Sequence, residues 1–286
     1  MLKTTTSNNY KLDNSVVENF SKTKSRVLLF PFLILVLIFF VLLKESAFTV
    51  DSYINIQKDL FFYLNSKLAQ SPILQFNLTQ LGDASIILSL ITIFLVYAPQ
   101  LWESILTSSL IALIVSFLLK KLFAVPRPAA MFDNDSFVII GKTLSGATSL
   151  PSGHSITTFT TITILLFAFM PKDFKSKLLW SISILTIGLI IAFSRVGVGA
   201  HYPLDVLIGS TIGYISAFLG IFINKKNRWW SWIQNKKYYP FFMFVLTIWI
   251  LAIIKKTFDN NLVIFYFSIC SLITTLFLMI RTYVKK

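Results

Sequence analysis

Apolar residues fall in long runs along most of the chain, separated by short polar stretches. A bilayer core about 30 Å thick requires roughly 20 apolar residues in a spanning helix. Five runs are long enough or nearly so: 27–43, 178–193, 203–223, 240–254 and 262–280. Three shorter runs reach this length if flanking residues are included: 84–97, 105–119 and 155–170. The pattern predicts an all-α fold, a polytopic transmembrane bundle of about eight helices.

These runs divide the chain into four regions. Residues 1–26 are polar and predict a cytoplasmic tail, either disordered or an interfacial lead-in to the first helix. Residues 27–79 contain the first span and a stretch at 51–76 that mixes charged and bulky residues, as expected of an amphipathic segment that shapes lipid access at the interface. Residues 80–224 form a third region that contains most of the remaining spans, and 225–286 a basic linker with two additional spans.

Composition and charge agree with a membrane protein. Of 286 residues, 55% are hydrophobic and 13% are charged, which is too apolar for a soluble domain. The net charge of +14 would suggest nucleic acid in a soluble protein, but 16 of the 26 basic residues lie in loops on the side of the amino-terminal tail. The positive-inside rule explains them, so we expect both termini in the cytoplasm of a bacterial inner membrane and no nucleic-acid partner. Cys270 is the single cysteine, which excludes an intramolecular disulfide.

Three polar clusters interrupt the apolar pattern, and the expected topology places all three on the periplasmic or outer face. The clusters are Lys120-x6-Arg127-Pro128, Pro151-Ser152-Gly153-His154 and Ser194-Arg195-x5-His201-x3-Asp205. Each has a purely structural interpretation. Lys120 could reach the headgroups by snorkelling, Ser152 could cap a helix, and Ser194-Arg195 could end a span. Asp205 is harder to explain, because an acid just inside a membrane helix is costly without a partner.

The two histidines favour a chemical function. His154 and His201 are the only histidines in the chain, and both lie in these clusters. Metal ligation is the obvious alternative, but two histidines without nearby cysteine, among cations, make a poor metal site. Lys120, Arg127 and Arg195 suit an anion instead, since guanidinium groups match phosphate oxygens in a bidentate manner. We therefore expect a phosphate site without a metal or other cofactor.

Spacing predicts separate roles for the two histidines. Pro203 suits the first turn of a helix, which leaves His201 just outside that helix and Asp205 within reach of its ring. A carboxylate on one ring nitrogen fixes the tautomer and makes the other nitrogen a better nucleophile. We therefore predict His201 as the nucleophile, Asp205 as its orienting group and His154 as the acid that protonates the leaving oxygen.

These residues resemble the type 2 phosphatidic acid phosphatase (PAP2) family, which includes bacterial lipid phosphatases. The family patterns K-x6-R-P, P-S-G-H and S-R-x5-H-x3-D are met in order at 120–128, 151–154 and 194–205. The resemblance covers roughly residues 80–224 and implies a six-helix core, with the last two spans beyond it. It implies a phosphohistidine on His201 and acid catalysis by His154. Phosphate binding is implied for Lys120, Arg127, Ser152, Gly153 and Arg195.

The resemblance implies a lipid phosphatase whose substrate reaches the site from the membrane. The candidate substrates are undecaprenyl pyrophosphate, phosphatidic acid, phosphatidylglycerol phosphate and a lipid A phosphate. Two alternatives stay open: a phosphotransferase, because a phosphohistidine can pass its phosphate to an acceptor other than water, and a non-catalytic membrane protein that keeps the motifs. No oligomeric state is assigned.

Overall fold

The computed structural model describes residues 4–284, which form α-helices, short 3₁₀ turns and loops without a β-strand in that range. The helices, numbered in chain order, are α1 (Thr4–Lys22), α2 (Leu29–Lys44), α3 (Val50–Asn55), α4 (Lys58–Leu68), α5 (Pro72–Gln80), α6 (Ala84–Leu90), α7 (Phe94–Tyr97), α8 (Pro99–Phe123), α9 (Pro128–Met131), α10 (Gly153–Ala168), α11 (Phe174–Gly197), α12 (Pro203–Lys226), α13 (Tyr239–Asp259) and α14 (Val263–Val284).

Six helical segments of the described chain are long and apolar enough to cross a membrane: Ser25–Lys44, Pro99–Met131, Phe174–Gly197, Pro203–Lys226, Lys236–Asp259 and Val263–Val284. Gly153–Ala168 is a shorter apolar helix of the same bundle. The predicted all-α, polytopic fold is confirmed, and the protein is a multi-pass membrane protein.

The prediction of a continuous span over residues 84–97 is wrong. A turn divides the segment into α6 and α7. Side chains of other helices donate hydrogen bonds to the backbone carbonyls at this turn. The Ser271 hydroxyl donates to the carbonyl of Leu90 at 3.1 Å, and the Trp102 indole donates to that of Ile91 at 3.2 Å. A helix interruption inside a bundle is tolerated where such groups satisfy the freed carbonyls.

The amino-terminal tail forms helix α1 over Thr4–Lys22, so the alternative of a disordered tail is wrong for these residues. Residues 1–3 lie outside the described chain. Val16 and Phe20 of α1 are buried in the same apolar cluster as residues of α8 and α10. The Asn19 amide donates to the carbonyl of Ala168 at 2.9 Å. Leu12, Val16 and Phe20 follow the four-residue spacing of one helix face, a signal that the polar composition obscured.

Helix α12 lies at the centre of the bundle. Of its most apolar stretch, 67% is buried, and the helix packs against α8 and α10. Small residues make this packing possible. A Cβ atom at Gly220 would lie 2.6 Å from the Ser108 nitrogen, and one at Gly213 would lie 2.8 Å from Phe159 Cβ. Close approach of backbones at glycine is a common way to join membrane helices.

The chain direction brings four helix ends together at one end of the bundle. The carboxyl ends of α8 and α11 and the amino ends of α10 and α12 meet there, joined by the loops 124–152 and 198–202. The opposite end holds α1, the start of α8 and the linker after α12. Hydrogen bonds connect these segments, such as the one that Arg228 of the linker donates to Glu103 of α8. All three polar clusters therefore lie at the first of these ends.

Candidate active site

The structure brings the eight predicted site residues to one end of the bundle. Each occupies a helix terminus or a loop beside one: Lys120 in the last turn of α8, Arg127 before α9, Ser152, Gly153 and His154 at the start of α10, Arg195 in the last turn of α11, His201 before α12 and Asp205 in the first turn of α12. Such positions give the side chains rigid support from the helix ends.

His201 is buried, and both of its ring nitrogens have polar neighbours. Nε2 lies 3.2 Å from Arg127 Nη1, and Nδ1 lies 3.4 Å from Ser149 Oγ. A guanidinium group can only donate, so Nε2 must accept and the proton of the neutral ring belongs on Nδ1. The lone pair of Nε2 is the one that an electrophile could reach.

Asp205 is fully buried and accepts three hydrogen bonds from neutral donors. The Tyr53 hydroxyl donates to Oδ1 at 2.8 Å, and the Ser149 hydroxyl donates to Oδ2 at 2.6 Å. The Tyr202 backbone amide donates to Oδ2 at 3.0 Å. The distance from Asp205 Oδ2 to His201 Nδ1 is 3.7 Å, too long for a direct hydrogen bond. Ser149 therefore connects the carboxylate and the ring.

The surroundings of His201 lower its pKa well below the ordinary value of 6.5. Burial is the largest cause, because it disfavours the charged ring. The positive charges of Arg127, Arg195 and Lys120 lower the pKa further. His201 is therefore neutral near pH 7, the form in which a nitrogen lone pair is available.

The start of α10 directs backbone amides and a lysine toward the same space. Ser152 caps the helix: its hydroxyl accepts from the Ser155 hydroxyl at 2.8 Å and from the Ser155 amide at 3.4 Å. The Ser152 amide donates to the carbonyl of Asp205 at 3.1 Å, which joins α10 to α12. Lys120 Nζ would lie 3.4 Å from a Cβ atom at Gly153. A helix start beside an ammonium group is suited to an anion.

The two arginines of the site have different hydrogen-bond partners. Arg127 donates through Nη1 to the carbonyl of Ala200 at 3.2 Å and through Nε to the Thr148 hydroxyl at 3.3 Å. Arg195 is buried and donates through Nη1 to the Thr79 hydroxyl. Its Nε has no hydrogen-bond partner in the described part of the chain. A buried guanidinium with an unused donor is equipped to bind a phosphate oxygen.

His154 has a different environment from His201. It is partly exposed, and its ring makes no hydrogen bond to residues 4–284. Its Cβ packs against Gly82, where an added Cβ would lie 2.7 Å away. The ring nitrogens of His154 are therefore open to a bound group.

These clusters lie inside a region that matches a known family. Residues 101–229 match the family model of the PAP2 superfamily, a range that contains all eight site residues. This part of the chain is similar to the PAP2 superfamily, and we call residues 101–229 the PAP2 core. The predicted resemblance to that family is thereby confirmed.

Two known proteins are similar to parts of this chain. An undecaprenyl-diphosphatase from Sulfolobus acidocaldarius is 30% identical over 118 residues, which are 41% of this chain and 52% of the relative. This chain thus spans about half the length of that curated relative. The crystal structure of Aquifex aeolicus LpxE has 20% sequence identity and a TM-score of 0.48, covering 58% of this chain and 95% of that one.

Several polar residues of the site were missed by sequence reasoning, and some of them lie before the PAP2 core. Ser149 stands two positions before the Pro151 motif, and only that proximity could have indicated it. Tyr53 on α3 and Thr79 on α5 belong to no recognisable sequence motif. Gln57 and Asn65 support the same region: Gln57 Oε1 accepts from the Leu204 amide at 3.0 Å, and Asn65 Nδ2 donates to the carbonyl of Val196 at 3.0 Å.

The segment at 51–76 thus contacts the site through polar side chains, while its role in shaping lipid access stays a prediction. Its buried polar side chains support the loops of the PAP2 core from one side. Within residues 4–284, no group of three or more histidine, cysteine, aspartate or glutamate side chains is arranged to hold a metal ion. The chemistry available to the site is nucleophilic attack, proton transfer and stabilisation of negative charge.

Proposed function

We propose that the protein is a membrane lipid phosphatase that hydrolyses a phosphomonoester or pyrophosphate through a phosphohistidine on His201. The observation that carries the proposal is the environment of the His201 ring. Nε2 faces Arg127, while Nδ1 faces Ser149 and, behind it, the buried carboxylate of Asp205. This is the arrangement that a nucleophilic histidine requires.

In the first step, the lone pair of His201 Nε2 attacks phosphorus. A bond forms between Nε2 and phosphorus, and the bond from phosphorus to the lipid-side oxygen breaks. Burial and Arg195 hold the pKa of His154 well below 6.5 before substrate binds, so His154 gains its proton as the anionic phosphate group binds and then gives it to that departing oxygen. The Nδ1 proton of His201 stays on the ring, where Ser149 and Asp205 stabilise the positive charge that develops.

In the second step, water attacks the phosphohistidine. His154, now neutral, accepts a proton from the water as the new oxygen–phosphorus bond forms. The bond from phosphorus to Nε2 breaks, and its electron pair returns to His201. Inorganic phosphate leaves, and both histidines regain their initial protonation states.

The cations and the helix start stabilise the charge on phosphorus in both steps. We assign phosphate binding to Lys120, Arg127 and Arg195, together with Ser152 and Gly153 at the start of α10. In phosphoryl transfer most of the catalytic contribution comes from positioning and charge neutralisation, so a site with three cations suits the reaction. Arg127 would move from Nε2 to a phosphate oxygen when a substrate binds.

A lipid substrate is supported by the location of the site. It lies at the end of a bundle of apolar helices, where a lipid-borne phosphate at headgroup depth can reach it. The PAP2 relative from Sulfolobus acidocaldarius is named for undecaprenyl diphosphate, which makes that lipid the first candidate. Phosphatidic acid, phosphatidylglycerol phosphate and a lipid A phosphate are the others.

We also propose that the site faces the periplasm or exterior and that both termini are cytoplasmic. The distribution of basic residues supports this orientation. Labelling of single cysteines introduced at Lys142 and Lys226 with an impermeant reagent would test it in a Cys270→Ser background. We expect labelling of intact cells at position 142 only; the reverse pattern would contradict the assignment.

The test of the proposed function is phosphate release by the purified protein in nanodiscs with each candidate lipid. We expect release from at least one lipid, and loss of at least about 10³-fold in the His201→Ala variant because the nucleophile is removed. Intermediate trapping by acid quench should show phosphate on the wild-type protein and none on the variant.

The same assay distinguishes the alternatives. Transfer of labelled phosphate to an added acceptor lipid, with little free phosphate, would indicate a phosphotransferase. Unchanged phosphate release in His201→Ala would contradict the assigned nucleophile. No turnover of any candidate lipid, with no trapped phosphate, would support a non-catalytic protein.

A further inference from the structure

The last two helices, α13 and α14, lie outside the PAP2 core at 101–229, yet they make specific polar contacts to the region in front of it. Thr275 Oγ1 on α14 lies 2.9 Å from Thr92 Oγ1, and the Asn77 carbonyl oxygen accepts from the Ile264 amide at 3.2 Å. The Trp249 indole on α13 donates to the carbonyl of Ser85 at 2.9 Å. The helix pair is thus docked on the segment that contains α5 and α6.

The strongest of these contacts involves a lysine near the end of α13. Lys256 Nζ donates to Asp83 Oδ2 at 2.8 Å and to Ser85 Oγ at 2.9 Å. Asp83 caps α6, since its Oδ1 accepts from the Ser85 amide at 2.8 Å. Burial acts to raise the pKa of Asp83, but hydrogen bonds from Lys256 and Ser85 outweigh it, so the pKa lies below its ordinary value and the pair is ionic.

Asp83 belongs to a tight turn between α5 and α6 that touches His154. The preceding residue, Gly82, lies against the histidine: an added Cβ would stand 2.7 Å from His154 Cβ and 3.1 Å from Cδ2. There is no room for a methyl group between them. A movement of this turn by a few tenths of an ångström is therefore transmitted to His154.

The other side of the turn has its own attachment. Thr79, at the end of α5, accepts a hydrogen bond from Arg195. Thr79 is thus held by Arg195 without any contact to α13, whereas Asp83 is held by Lys256 of α13. A change at Lys256 should therefore affect His154 more than Arg195.

We propose that Lys256 and Asp83 are positioning residues that hold the Gly82 turn against His154, so that α13 fixes the orientation of the general acid. The inference rests on the proposed function, because it assigns a task to α13 within that reaction. It also gives the carboxyl-terminal helix pair a specific role in the PAP2 core. Neither residue touches the reacting atoms.

A comparison of leaving groups tests this role. A lipid alkoxide needs a proton as it departs, whereas p-nitrophenolate departs from p-nitrophenyl phosphate without one. In Lys256→Met we expect kcat/KM for the lipid phosphate, which reports the step in which the leaving group departs, to fall about 10-fold or more, a part of the 10²–10⁴-fold contribution typical of general acids. We expect kcat/KM for p-nitrophenyl phosphate to fall less than about threefold, because kcat/KM reports phosphoryl transfer to His201, which for this leaving group does not use His154 as an acid.

Three further variants complete the experiment. Lys256→Arg keeps the ion pair and should restore most of the lipid activity. Lys255→Met removes the neighbouring charge, which is exposed and makes no polar contact in the described chain, and should behave as wild type. Gly82→Ala should reproduce the selective loss without touching Lys256, because the added methyl displaces His154.

The outcomes separate the two levels of the proposal. Equal losses on both substrates in Lys256→Met and in Gly82→Ala, or no loss in either variant, would overturn the positioning role. Failure of the wild-type protein to release phosphate from any candidate lipid or from p-nitrophenyl phosphate would instead overturn the proposed function. If Lys256→Met does not fold, Gly82→Ala decides the question alone.

Discussion

Asp205 and Glu103 are fully buried carboxylates at opposite ends of the bundle, and they have different kinds of partners. Asp205 accepts from a tyrosine, a serine and a backbone amide, all neutral, with the His201 ring 3.7 Å away. Glu103 accepts on a single oxygen from Arg228 at 3.3 Å and Gln234 at 2.7 Å. The charge of Glu103 is met by a permanent cation.

We propose that this difference separates an acid that serves the reaction from one that serves the fold. Neutral donors hold the Asp205 side chain in place without cancelling a charge on it, which leaves that charge available to a histidine that becomes positive in the proposed reaction. Arg228 neutralises Glu103 and thereby attaches the linker after α12 to the start of α8. Burial alone would not distinguish the two residues, but their partners do.

The largest effect should come from Asp205→Asn. An amide cannot stabilise a positive His201 ring, so we expect kcat to fall about 10²–10⁴-fold, as for other carboxylates that orient a catalytic histidine. The side chain keeps its size, so the thermal unfolding temperature should change little. Phosphate release and thermal unfolding measured on the same preparation check both statements. A parallel loss of activity and stability would mean that Asp205 serves the fold.

A smaller effect is expected on pH dependence in Lys120→Met. Burial, Arg127, Arg195 and Lys120 all lower the pKa of His201, and below that pKa the protonated ring has no lone pair on Nε2. Removing the Lys120 charge raises this pKa, so the acidic limb of kcat/KM should move to higher pH.

Lys226→Met provides the matched control for this pH experiment, because Lys226 is an exposed cation at the end occupied by Glu103. This variant should leave the acidic limb of the kcat/KM profile unchanged. A shift in the control, or a shift to lower pH in Lys120→Met, would contradict the account of His201.

The smallest effect on activity should come from Glu103→Ala. It removes the acceptor for Arg228 and Gln234, so we expect a loss of about 1–3 kcal/mol of stability, because two hydrogen-bond donors lose their partner. Specific activity per folded molecule should stay within about twofold of wild type. Thermal unfolding and phosphate release test the contrast with Asp205→Asn. A loss of turnover in Glu103→Ala without a loss of stability would contradict that contrast.

Local signals predicted the parts of the site that depend on short spacing. Ser152 caps α10 and Pro203 starts α12, as predicted from the residues alone. The i to i+4 relation of His201 and Asp205 places both at one helix start, although Ser149 stands between carboxylate and ring. The grouping of the three clusters at one end followed from alternating spans, without knowledge of any contact.

Contacts between distant segments could not be predicted in this way. Tyr53 is 152 positions from Asp205 in sequence, and Lys256 is 173 positions from Asp83. Nothing in their own neighbourhoods marks them, because a tyrosine or lysine near a membrane surface is ordinary. The break within 84–97 likewise depends on Ser271 and Trp102, which arrive from other helices.

The contact between Arg127 and His201 Nε2 has a consequence for selectivity in the resting protein. If His201 is the nucleophile, as proposed, the guanidinium covers the attacking nitrogen until something competes for it, and an anion competes far better than a neutral molecule. A phosphate group would thus uncover the atom that attacks it. Uncharged electrophiles in the membrane would meet a histidine that is already occupied, so the same contact that recognises the substrate guards against unwanted modification.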